Sequence, residues 1–230
     1  MSGSCAESFA LKNDSQQFLI GITGGIGSGK SRVCQYLVEL CQLPLVSLDV
    51  ICRDLLAIGA PGSKALLKEL GTGFFSASGE LDRSSFRAAI FSDSQLRQRV
   101  DRILHPLARR EMLRKVANHG RVVLVEIPLL FEAGWQNEVD CIVVVSAASE
   151  VCCQRVVLRD SVSKDQVLLT ISAQQSLEDK VRQADVVIDN SGNWTDTCRQ
   201  VQKFANELLR GAFFKSFVRK ALTGTPETNN

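Results

Sequence analysis

The stretch "FLIGITGGIGSGKSRV", residues 18–33, decides the fold. Residues 18–22 are apolar or glycine and read as a short buried strand that ends at Thr23. The next eight, Gly24-Gly25-Ile26-Gly27-Ser28-Gly29-Lys30-Ser31, fit G-x-x-x-x-G-K-[ST] at every fixed position. Glycine is costly to order, so five of them in this window need a reason. Their N–H groups can close round an anion with no Cβ in the way, and the N-terminus of the next helix adds to that nest. Lys30 would then reach the β- and γ-phosphates as a point charge, and Ser31 would offer its hydroxyl to Mg²⁺. A glycine turn that binds nothing would be spelled the same way, and the flanks decide against it: a strand pattern precedes, and Val33, Tyr36, Leu37, Leu40 and Cys41 follow on one helix face. Residues 24–32, through Arg32, are therefore the candidate nucleotide site, with Ser31 the candidate metal ligand. The loop alone does not separate a kinase from a GTPase or a motor.

The 230 residues allow one α/β domain with an insertion. Hydrophobic content of 45% and charged content of 23% describe an ordinary soluble globule. A net charge of +2 argues against a protein built for bulk nucleic-acid binding. No apolar run approaches the roughly 20 residues of a membrane span. Residues 1–17 are polar, contain Glu7 and Asp14, and lack both an apolar core and arginine; they read as a flexible leader and not as a signal or transit peptide. The cytoplasm is the expected compartment, with an organelle as the alternative. Eight cysteines show no C-x-x-C spacing and several sit among apolar residues, so they are expected as small buried hydrophobes. His105 and His119 are too few for a histidine-based metal site.

Four more strands are expected: "PLVSL" (44–48), "RVVLVEI" (121–127), "CIVVVS" (141–146) and "DVVID" (185–189). Alternation with helical patterns predicts a five-stranded parallel sheet covered on both faces. The block from about 51 to 120 is too long for one crossover helix and reads as a helical insertion, a natural place for a second substrate. Within it, "PGSKALLKELG" has breakers at both ends, and "SDSQLRQRVDRILHPLARREMLRKVANHG" reads as two helices punctuated at His105-Pro106. In "QRVVLRDSVSKDQVLLTISAQQ" (154–175), Arg155 and Arg159 share a helix face, and the chain loosens at Ser161 and Ser163. Beside a phosphate loop, this stretch, about 155–175, reads as a short lid; alone it would be a solvated helix end.

Asp49 follows the second strand, at the carboxyl edge of the sheet where the phosphate loop also arrives. It is placed to act as a general base or to hold water on Mg²⁺, and it could equally cap the next helix. Arg53, four residues on, could grip an anion. Glu126 and Asp189 end two other strands and rank below Asp49; Glu126 has the placement of an acid that aids Mg²⁺.

Together these residues resemble the dephospho-coenzyme A kinase family, over nearly the whole stretch 18–209. "GITGGIGSGKS" is similar to that family's loop almost letter for letter, and "LHPLARREM", "IPLLFEAG", "RVVLRD" and "AQQSLEDKVRQADVVIDNSG" resemble further family segments in the same order. The family's Asp-x-Asp turn reads Ser47-Leu48-Asp49 here, so the second aspartate is kept and the first is replaced by Ser47. The resemblance implies a three-layer P-loop kinase fold and the last step of coenzyme A synthesis: transfer of the γ-phosphoryl group of ATP to the ribose 3′-hydroxyl of dephospho-coenzyme A, with Mg²⁺. It implies Lys30 on the phosphates, Asp49 as base, Arg159 as the lid charge, and Arg53, His105 and Arg109 facing the acceptor. A nucleoside or nucleotide kinase and a nucleotide-binding scaffold are the rivals; a GTPase would carry Asn-Lys-x-Asp, which is absent. The extension 211–230 mixes phenylalanines with basic residues and reads as a helix end packed on its own domain, with a membrane surface as the alternative.

Overall fold

A computed structural model describes residues 17–211; the leader up to residue 16 and the extension from residue 212 lie outside the described residues. Five parallel strands form one sheet: β1 (Phe18–Thr23), β2 (Leu45–Ser47), β3 (Val122–Glu126), β4 (Cys141–Ser146) and β5 (Val186–Asp189), in the order β2-β3-β1-β4-β5. Every residue of β1, β3 and β4 is buried, which is why these strands read as unbroken apolar runs. Alternate residues feed two cores. Ile20, Ile22, Leu124, Val143 and Val145 meet α1 (Lys30–Cys41) and α9 (Trp194–Leu209) on one face. Leu19, Val123, Val125, Ile142 and Val144 meet α2 (Leu48–Leu55) and α5 (Ser94–Val116) on the other. The α/β/α layering follows, as the apolar runs predict. From central β1 the chain turns toward β2 on one side, while β4 leads to β5 on the other, so their outgoing loops diverge at the carboxyl edge. Ligands of open α/β sheets bind in such a crevice.

Between β2 and β3 stand α2, α3 (Pro61–Leu70), α4 (Arg83–Ser92) and α5. Leu66, Leu81, Phe86 and Val100 give this block a small core of its own. The expected break at His105-Pro106 does not occur: α5 runs for 23 residues with Pro106 inside it. Proline removes a helix hydrogen bond and costs roughly 3 kcal/mol. Val100 before it is buried in the insertion core, and Ala108, Met112 and Val116 after it are buried against the sheet. Burial on both sides, at about 1.5–3 kcal/mol per large apolar side chain, outweighs the loss.

A second difference concerns Asp49. The strand β2 is three residues long, and α2 starts at Leu48, so Asp49 stands in the first helical turn and Ser47 is the N-cap residue. The capping alternative for Asp49 is thereby removed.

The stretch expected as a lid falls on α6 (Ser149–Asp160) and α7 (Lys164–Ser172), followed by α8 (Leu177–Arg182). Ser161, in the left-handed region at φ 54, closes α6, and Ser163 opens α7 with a reciprocal capping box to Gln166. Cys153, Val156 and Val167 join the two helices in a small apolar cluster that includes Ile26 of the phosphate loop. Gln17, the last residue of the expected leader, donates its side-chain amide to the carbonyls of Val116, His119 and Gly120 at 2.9–3.1 Å. No described helix is long and apolar enough to cross a membrane.

All seven described cysteines are free; Cys34, Cys41, Cys141, Cys152 and Cys153 are buried, and Cys52 and Cys198 half-buried. Burial pushes the Cys34 and Cys141 thiols far up, and that of Cys52, beside Asp49, up to about 11. Ellman's reagent on the native protein is expected to leave the five buried thiols unmodified and to titrate all eight cysteines in guanidinium. More than three reactive thiols in the native state would contradict this packing.

Candidate active site

The loop between β1 and α1 is shaped by the protein before any ligand is considered. Gly27 sits at φ +76, and a Cβ there would lie 2.5 Å from the Cys152 carbonyl oxygen and 2.9 Å from Val156 Cγ2. Gly29, the N-cap residue of α1, sits at φ +86, and its Cβ would lie 2.3 Å from Asn190 Nδ2. Both positions need positive φ and close approach at once, which only glycine supplies. The loop is thus pressed against α6 on one side and the end of β5 on the other.

Lys30 and Ser31 open α1 and face β3. Parallel pairing sets Ile22 of β1 opposite Glu126, the last residue of β3. Glu126 is buried, and Ser31 Oγ donates to its Oε1 at 2.7 Å while Lys30 Nζ stands 3.7 Å from the same oxygen. A buried carboxylate needs such partners. Glu126, ranked below Asp49 in the sequence, therefore meets Ser31 and Lys30 directly. Asp189 does not: its carboxylate accepts from the Ser191 N–H and hydroxyl, closing a turn.

Residues 24–32 line a cleft of about 400 Å³ together with Asp49, Pro128, Leu129, Arg159 and Gln174. Desolvation raises the Asp49 carboxyl above the ordinary range; Lys30 pulls it down and Glu126 pushes it up. Arg159 reaches the cleft from the end of α6 and is held by Asp160 through two 2.7 Å hydrogen bonds. Arg155, its partner on the helix face, is turned to another use: Nη2 donates to the Asn190 carbonyl at 2.9 Å and Nη1 to the Gly27 and Ser28 carbonyls at 3.4 and 3.5 Å. Arg32 lines the cleft and stacks its guanidinium 3.8 Å above the Trp194 ring. Gln174 accepts the Ile26 N–H at 3.1 Å. The next residue, Gln175, donates its N–H to Glu132, which pairs at 2.8 Å with the fully buried Lys180.

The acceptor-side candidates are not among the residues lining this cleft. Arg53 pairs with Asp54 at 3.6 Å, His105 with Asp101 at 3.5 Å, and Arg109 with Glu138 at 2.8 Å. His105 also meets Trp135 edge-to-face at 5.9 Å.

Sequence reasoning missed Gln174 and the structural use of Arg155. Asn190 entered it only inside the segment "AQQSLEDKVRQADVVIDNSG". The available signal was position: Asn190 follows a parallel strand at the carboxyl edge, where the loop after β1 also lies.

A family model described as dephospho-CoA kinase matches residues 18–196. This chain belongs to the dephospho-CoA kinase family. It is 39% identical over 198 residues to the dephospho-CoA kinase of Shewanella oneidensis, a match that covers 84% of this chain and 95% of that one. Among solved structures it resembles TT1252 from Thermus thermophilus, with TM-score 0.72 and 32% identity over 84% of this chain and 99% of that one. The dephospho-CoA kinase from Campylobacter jejuni shares the fold, with TM-score 0.60 at 23% identity over 84% of this chain and 98% of that one. The family match spans the loop after β1, the helices between β2 and β3, and α6 to α8, and stops within α9.

Gly27→Ala tests the shaping of the loop. An alanine at φ +76 must push the loop off α6, at a strain of about 1–2 kcal/mol before the clash is counted. The variant should stay folded with Tm a few degrees lower, and calorimetric titration should show ATP affinity reduced at least about tenfold. Wild-type affinity in this variant would show that the contact with α6 does not set the loop.

Proposed function

We propose that the cleft carries out the family reaction, moving the γ-phosphoryl group of ATP to the ribose 3′-hydroxyl of dephospho-coenzyme A, with Asp49 as the base. The observation that carries this reading is that Asp49 lines the same cleft as Lys30 and Ser31, with Lys30 acting on its charge. The loop N–H groups and Lys30 hold the ATP phosphates. The Asp49 carboxylate accepts the proton of the attacking hydroxyl as the new oxygen–phosphorus bond forms and the bond to ADP breaks. Arg159, released from Asp160, closes onto the charge that spreads over the transferring group. Its pairing with Asp160 is on the surface, so exchanging one anion for another costs little.

Mg²⁺ fits the oxygens that this chain presents. Ser31 Oγ and the Glu126 carboxylate, 2.7 Å apart, are the hard oxygen donors that this ion takes, directly or through its waters. When bound with ATP it supplies neutralisation of phosphate charge. Ser47 lies beside Glu126 in the β2–β3 pairing, where the family's first aspartate would stand, so Glu126 is the acid left for that task on this side. Arg53, His105 and Arg109 are proposed as acceptor-side groups. Arg53 and Arg109 are held by ion pairs to Asp54 and Glu138 that an acceptor phosphate can displace, and His105 is held by Asp101 and the Trp135 ring.

Coupled measurement of ADP release tests the acceptor. Turnover is expected with dephospho-coenzyme A and not with a panel of nucleosides and nucleotides; equal turnover with the panel would reassign the protein to general nucleotide phosphorylation. Asp49 is tested by pH. A base works only when ionised, so kcat should fall as pH drops through the Asp49 pKa, and desolvation sets that limb above the ordinary aspartate range. Asp49→Asn should lower kcat about 10²–10⁴-fold and abolish the limb. A limb that survives in Asp49→Asn belongs to another group and removes Asp49 as the base.

A further inference from the structure

We propose that Asn190 is a positioning residue for ATP: its side-chain amide fixes the peptide plane from which the loop presents the Gly29 N–H to phosphate. The proposal rests on the reading of the loop as the ATP phosphate site. Asn190 follows β5 and is only 4% exposed. Four hydrogen bonds from four separate parts of the chain hold it. Its N–H donates to the Ser146 carbonyl at 2.8 Å and its carbonyl accepts from Arg155 at 2.9 Å. Its Oδ1 accepts from Thr197 Oγ1 at 3.0 Å, and its Nδ2 donates to the Ser28 carbonyl at 2.7 Å. A carbonyl can only accept, so chemistry fixes which end of the amide faces Ser28.

The Ser28–Gly29 peptide is trans, as are the others described. In a trans peptide the C=O and N–H point in opposite directions. Pinning the Ser28 carbonyl on Asn190 therefore aims the Gly29 N–H away from Asn190, toward the side on which the loop lines the cleft. The same contact accounts for Gly29 itself: a Cβ there would occupy the space of Asn190 Nδ2, at 2.3 Å. Arg155 backs the same carbonyl at 3.5 Å, too long to fix the plane alone. The short bond from Asn190 sets it, and Thr197 sets Asn190. Ordering the loop in advance spares ATP the entropy of doing so.

The test is calorimetric titration of the full chain with ATP and Mg²⁺, without acceptor, alongside steady-state kinetics. In Asn190→Ala, ATP binding should weaken about tenfold, the effect of losing one buried hydrogen bond, and KM for ATP should rise with it. KM for dephospho-coenzyme A should not change. Asn190→Asp keeps the shape but turns an acceptor toward the Ser28 carbonyl, and should bind ATP no better than Asn190→Ala. Thr197→Val, which frees Asn190 without touching the loop, should weaken ATP binding about threefold, and it stands in if Asn190→Ala does not fold. Val201→Ala, fully buried elsewhere on α9, should lower Tm and leave ATP binding unchanged. Wild-type ATP affinity in folded Asn190→Ala or in Thr197→Val would overturn the proposal, as would an equal loss in Val201→Ala. A wild-type chain that does not bind ATP would instead remove the nucleotide reading, and this one with it.

Discussion

The site hangs on the register of β1 against β3, in which Ile22 lies opposite Glu126. Both strands are buried on both faces, so apolar alternation alone specifies that register weakly. A slip of one residue would exchange valines and isoleucines between two apolar cores. It would also turn Glu126 away from Ser31 and Lys30 and leave a carboxylate buried without partners, a cost of several kcal/mol. The polar end of an otherwise apolar strand thus selects the pairing. The same pairing delivers the helix that carries Lys30 and Ser31 to the carboxyl edge of the sheet.

From that edge the charges are arranged in a short sequence: Glu126 buried at the base, Lys30 against it, Asp49 at the rim and Arg159 at the end of α6. The Asp49 carboxyl is pulled both ways: desolvation and Glu126 favour its protonated form, and Lys30 favours its charge. Its position at the first turn of α2 comes from the brevity of β2, which hands the chain to the helix without a loop. A group on a packed helix is held more precisely than one on a loop.

The sheet, the loop after β1 and the joint between α6 and α7 were legible in the sequence because each is written locally. Short β-branched runs such as "VVLVE" read as strands buried on both faces, and the serines of "DSVSKDQ" mark the joint between α6 and α7. The boundary at Pro106 was misread because local propensity favours a break, while burial of Val100 and Met112 in two different cores favours continuity. That balance is tertiary and leaves no local mark. Asn190, Gln174 and Arg155 were hidden for a related reason. Their partners Ser28, Ile26 and Gly27 lie 162, 148 and 128 residues away, and only the folded chain brings them together. Glu126 was visible as the end of a strand, but its weight was not, since that depends on which strand pairs with it.

The central claim is that this cleft places phosphate on one particular oxygen. Phosphorus NMR of the product formed by the purified chain from ATP, Mg²⁺ and dephospho-coenzyme A tests it most directly. The account predicts one new phosphomonoester resonance coupled to the ribose 3′ proton, appearing in step with ADP. Phosphate on the 2′ oxygen or on the pantetheine arm, or ADP formed with no such ester, would contradict it.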